Sequence, residues 1–138
     1  MRLWPVVIIF AAAGVSFAVA QQRVDPAAFG RDPAHFLNQS VRLNGLGCWS
    51  ANGAVRCTSY KGVYIAPDDV APVAIKQKIS QECGGIVEAE SDPACTFDVV
   101  LTPSALSRGP GSIVKGDQAT DAQVWIVRAS LVSAMAHR

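Results

Sequence analysis

The sequence predicts a small, mainly β domain with one helix, ordered β-β-β-α-β-β and tied by two disulfides. Three observations carry this expectation. Short alternating stretches recur between turns rich in glycine, proline and asparagine. One segment only, residues 70–83, shows helical periodicity. Four cysteines, an even number, follow an apolar leader.

The leader comes first. Met1-Arg2 is a short positive start, residues 3–15 are apolar, and Ala18-Val19-Ala20 is a small-x-small cleavage site before Gln21. Residues 1–20 therefore read as a signal peptide, although 18 apolar-rich residues also sit at the lower limit for an uncleaved span. The whole chain of 138 residues is 50% hydrophobic with a net charge of +1. Without residues 1–20, 53 of 118 residues are hydrophobic and 11 basic residues face 11 acidic ones. That is ordinary globular composition, with no basic excess to track nucleic acid and no second apolar run to span a membrane. The expected location is periplasmic or secreted.

Cys48, Cys57, Cys83 and Cys95 all follow the leader, and in an exported small domain they read as two disulfides. Of three connectivities, Cys48–Cys57 with Cys83–Cys95 is expected, because each pair encloses a short loop with turn residues. Zinc is disfavoured: there is no Cys-x2-Cys, and His35 and His137 are distant in sequence from the cysteines. A redox thiol pair is disfavoured for the same missing motif.

Residues 21–33 read as a flexible lead-in with one short helical turn around Ala27, Ala28 and Phe29. Residues 34–138 form the single domain. Val41-Arg42-Leu43 opens the first strand, and Gly45 and Gly47 predict a bulge before Cys48-Trp49. Residues 54–60 are a second strand, Lys61-Gly62 a tight turn, and residues 63–66 a third strand ended by Pro67. Asp68-Asp69 offers a helix N-cap with Pro72 in the first turn. Ala71, Ala74, Ile75, Lys78, Ile79, Glu82 and Cys83 then share one helical face, with the Lys78 stem along it, until Gly84-Gly85. Phe97, Val99 and Leu101 point one way in a fourth strand. Residues 103–122, rich in Ser, Gly and Pro, read as a long loop, and residues 124–132 as the last strand.

A five-stranded Greek-key barrel with its helix between strands three and four is the OB-fold order. The run His35-Phe36-Leu37-Asn38-Gln39-Ser40-Val41-Arg42-Leu43-Asn44-Gly45 resembles the approach to the first strand in bacterial exported OB-fold proteins. Those carry x-Tyr/Phe-Leu-Gly-Lys-x-Val-x-Leu-x-Gly there. Asn38 stands in place of the Gly and Gln39 in place of the Lys. The resemblance spans residues 33–132; it implies a fold and no particular ligand.

Catalysis is hard to assemble from these residues, and the chain is expected not to be an enzyme. His137 is next to last and expected to fray, while His35 is expected to pack locally. No Gly-x-Ser-x-Gly elbow and no phosphate-binding loop is present. Glu88, Glu90 and Asp92 read as a solvated turn, lacking the glycine of a calcium loop. No metal or cofactor is expected. OB barrels engage ligands on the face of strands two and three, bordered by the loops after strands one and four. The corresponding residues are Trp49 and Asn52 in the first loop, Arg56, Thr58, Tyr60, Lys61 and Tyr64 on the face, and Arg108 in the long loop. Aromatics beside cations suit sugar rings or stacked bases. The expected function is a non-catalytic exported binding module for a protein, oligosaccharide or small-molecule partner. The alternative is a periplasmic inhibitor of a cell-wall hydrolase, or a subunit of a secretion or envelope assembly, inserting residues 103–122. A small hydrolase is the least favoured reading.

Overall fold

A computed structural model describes residues 21–138; the predicted signal peptide lies outside the described residues. The elements run β1 (Gln22–Arg23), α1 (Pro26–Arg31), β2 (Val41–Ala51), β3 (Ala54–Tyr60), β4 (Val63–Ala71), α2 (Val73–Glu82), α3 (Ile86–Ser91), β5 (Thr96–Leu101), β6 (Pro103–Lys115) and β7 (Gln118–Ala136). β2, β3 and β4 form an antiparallel meander. β4 pairs parallel with β7, β7 antiparallel with β5, and β5 antiparallel with β2. Five strands thus close into a barrel, which leaves none of them with a wholly free edge.

Alternation fills the interior. Leu43, Leu46, Ile65, Phe97, Val99, Leu101 and Val127 all point inward and are buried. The expected bulge falls between Leu43 and Leu46, where the register with β5 shifts and Gly45 takes φ +75°. Both expected disulfides are present: Cys48–Cys57 joins directly paired residues of β2 and β3, and Cys83–Cys95 ties the end of α2 to the start of β5. Such bridges persist in an oxidising, extracellular-type environment. Among the described residues no helix is long and apolar enough to cross a membrane.

Four expectations require correction. Residues 21–33 are packed rather than a loose lead-in. β1 pairs with Val41 and Arg42, Asp25 caps α1 by accepting from the Ala28 N–H at 3.2 Å, and Phe29 is fully buried against Phe36. Gly30 permits this: a Cβ there would lie 2.1 Å from the Cβ of Tyr60. Secondly, the third strand runs through Pro67 to Ala71. Pairing with β3 has stopped at Ile65, so Pro67 lacks only a hydrogen bond that edge could not use. The helix begins correspondingly later, and Asp69 bonds the Val70 N–H at 2.9 Å instead of capping it. Ile79 and Cys83 are buried on its inner face, and Lys78 lies 5.8 Å from the Phe97 ring centre. Thirdly, the solvated turn at Glu88 to Asp92 is mostly the helix α3, with Ala89 buried and both glutamates exposed.

The fourth correction is the largest. Residues 103–122 are no loop: β6 and β7 make one long antiparallel hairpin from Pro103↔Ala129 to Lys115↔Gln118, turning at Gly116 with φ +65°. β6 pairs with β7 alone among the described residues, and an edge strand tolerates Pro103 and Pro110. This arm extends the barrel wall, and residues 115–121 at its tip are all exposed.

Candidate functional site

Outward-facing Trp49, Tyr64 and Val124 of the same strands form a second, smaller apolar cluster with Ala89 of α3. Trp49 and Tyr64 meet edge to face, ring centres 5.1 Å apart at 82°. Above them lies a cleft of about 570 Å³, walled by the β2–β3 hairpin, Ile86 at the start of α3, residues 110–112 of the arm and Ile126.

Two close approaches build this cleft. The Tyr64 hydroxyl accepts from the Ser112 N–H at 2.7 Å and donates to the carbonyl of the same residue, holding the arm against the barrel. Burial pushes the Tyr64 hydroxyl pKa above its ordinary value, the bonds to Ser112 oppose this, and the nearby Glu90 carboxylate adds to it. A Cβ on Gly111 would lie 2.6 Å from Val124 Cγ2 and 2.9 Å from the Tyr64 ring, so glycine is needed there. On the other side α3 sits on β2, where a Cβ on Gly47 would lie 2.3 Å from the Ala89 carbonyl oxygen.

Arg56 is the cation of the cleft. It pairs across the strands with Trp49, which puts both side chains on the outer face. Its Nη1 donates to the Val55 carbonyl at 2.8 Å, and no carboxylate pairs with it among the described residues. The cleft lining contains no His, Cys, Asp or Glu. It can hold a ligand by apolar contact, ring stacking and the guanidinium.

The predicted site residues therefore separate into three groups. Trp49, Asn52, Arg56 and Tyr64 come together at this cleft. Thr58, Tyr60 and Lys61 line a second, polar cleft of about 310 Å³ beyond Ala89, with Glu90 and Thr96. Glu90 is exposed overall, but partial desolvation of its carboxyl in this cleft raises the pKa, and Lys61 opposes the shift. Arg108 stands 4.7 Å over the ring of Trp125, its cross-strand partner on the arm. By alternation that pair faces away from Val124 and Ile126, hence away from the first cleft. Reading the sequence missed Ile86, Ser112 and Ile126. Ile86, apolar directly after Gly84-Gly85, was a usable signal, whereas Ser112 offers only its backbone and carries none.

His137 also differs from expectation. Instead of fraying, its N–H donates to the Thr96 carbonyl at 3.0 Å, and its Nδ1 lies 2.6 Å from Asp98 Oδ1. Asp98 also accepts from the Gly45 N–H at 2.9 Å, so the pair closes the strand bulge. His35 packs edge-on against Phe36. Among the described residues no three or more His, Cys, Asp or Glu residues are grouped to hold a metal ion. Comparisons with protein-family profiles, curated proteins and solved structures returned no match.

Proposed function

We propose that this chain is a non-catalytic, exported binding module of OB type whose small-molecule ligand occupies the cleft over Trp49 and Tyr64. The strand order supports the OB assignment: a three-stranded meander, one parallel closing pair and a helical segment between β4 and β5. The leader sequence and the two disulfides support a periplasmic or secreted location. The observation that carries the binding reading is the position of the cleft. It lies between the β2–β3 hairpin and the β6–β7 arm, where OB barrels take their ligands, and it combines an aromatic pair with one unpaired cation.

A fragment screen followed by 15N–1H correlation spectra tests this reading on the protein lacking residues 1–20. Binding fragments are expected to shift the Trp49 indole and Ser112 amide signals while leaving the Trp125 indole unmoved. Fragments that collect at Trp125, or none that reach Trp49, would sink it.

One observation favours a second reading, an inhibitor or envelope-assembly subunit that engages a protein through the arm. Trp125 is 39% exposed with Arg108 stacked on it, a combination common at protein interfaces. Deleting residues 106–118 would strip β7 of its partner, so the cleaner test is Trp125→Ala with Arg108→Ala. Loss of a native partner from this double variant, with the Trp49 signals unchanged, would favour the arm over the cleft.

A further inference from the structure

We infer that the ligand of the Trp49–Tyr64 cleft is a small amphipathic monoanion, an apolar body carrying one carboxylate-type head group. The inference rests on the cleft being the binding site and adds the chemistry of what fills it. Arg56 is half-buried and spends one N–H on the Val55 carbonyl; its other N–H groups meet no protein acceptor among the described residues. A planar guanidinium with donors to spare is matched by a carboxylate, which accepts two parallel hydrogen bonds. The walls carry no acid to compete for it and no second cation to balance a dianion. Trp49, Tyr64, Ile86 and Ile126 supply the apolar surface that a hydrocarbon or aromatic body would cover. A volume of about 570 Å³ lies within the range of small-molecule sites and fits such a body whole. An oligosaccharide fits less well, because the lining offers one guanidinium and one side-chain amide, at Asn52, against many sugar hydroxyls.

Three probes of one shape and different charge make the test: 3-phenylpropanoate, 3-phenylpropanamide and 3-phenylpropylamine. Each is titrated into the protein at low salt, with the Trp49 indole N–H signal as readout. The acid is expected to bind about tenfold or more tightly than the amide, and the amine weakest. Arg56→Gln should bring the acid down to the level of the amide, and Arg56→Lys should keep part of the preference. The comparison among probes on the unaltered protein stands even if a variant folds poorly. Equal affinity for acid and amide, or tightest binding of the amine, overturns the anion inference and leaves the cleft reading intact. Failure of all three to move the Trp49 signal overturns the cleft reading itself. N-acetylated Gly-Gly-Phe carries the same head group at a peptide end; its binding more tightly than 3-phenylpropanoate would overturn the assignment to a free small acid.

Discussion

The barrel interior and the outer patch beneath α3 are made by the same strands. Cys48, Val55, Cys57, Val63, Ile65 and Val127 point inward, while Trp49, Arg56, Tyr64 and Ile126 point outward. The inner set is aliphatic apart from the Cys48–Cys57 bridge, and the closed sheet encloses it together with Phe29, Phe36 and Ile79, which pack into the same cluster. The outer set is aromatic and charged, and only α3 and the arm cover it, leaving the cleft between them. Trp49 and Tyr64 are almost as buried as the interior, at 5% and 8% exposure. Burial alone would count them as core; what separates the two regions is whether the cover is continuous.

The contrast can be broken from either side. The largest effect is expected inside: Phe97→Ala removes a fully buried ring and should cost about 3–5 kcal/mol in urea unfolding. A loss under about 1 kcal/mol would mean the interior is not the main source of stability. Replacing Cys48 and Cys57 together by Ala opens a bridge across 9 positions and should cost about 3 kcal/mol, read from the denaturation midpoint. Tyr64→Phe keeps the ring and deletes both bonds to Ser112, for about 1 kcal/mol overall. Its sharper signature should be faster amide exchange at Ser112 with the β2–β3 amides unchanged; unaltered exchange there would show that the tyrosine does not hold the arm.

The smallest effect lies outside both regions. The hydrogen bond from Lys76 at 2.9 Å, with the Val70 N–H, holds the Asp69 carboxyl below the ordinary carboxylate range. An acid with a lowered folded pKa contributes stability above its unfolded pKa and loses it as pH falls through the folded value. Lys76→Ala should therefore melt slightly earlier than the parent protein at neutral pH, and the gap should close in strong acid. Both side chains are exposed and salt screens the pair, so a gap that persists in acid or in high salt would point to another cause.

The elements legible in the sequence are those whose signals are local. The Leu43-to-Leu46 bulge announces itself by Gly45, the α2 face by the spacing of Ile75, Ile79 and Cys83, and the disulfides by short loops that bring each pair into reach. The arm was illegible because an edge hairpin exposed over much of both faces leaves no hydrophobic alternation, and its Ser, Gly and Pro residues read as loop. Phe29 and His137 were misread because their partners, Phe36 and Tyr60 for the first helix and Asp98 for the histidine, are supplied by the folded chain.

For the site, the residue types were visible and the grouping was not. Alternation along β3 places Arg56, Thr58 and Tyr60 on one outer face, and nothing in the sequence says that α3 crosses that face at Gly47 and divides it. Composition and spacing alone determined a charge-balanced, strand-rich domain over residues 21–138, with four cysteines in two nearby pairs. These depend on residues a few positions apart. Tertiary structure decided which aromatics stay in the cleft, which cation lacks a counter-ion, and that residues 103–122 form a wall. Each of those depends on contacts between segments far apart in the chain, such as Tyr64 with Ser112, and no local pattern encodes their meeting.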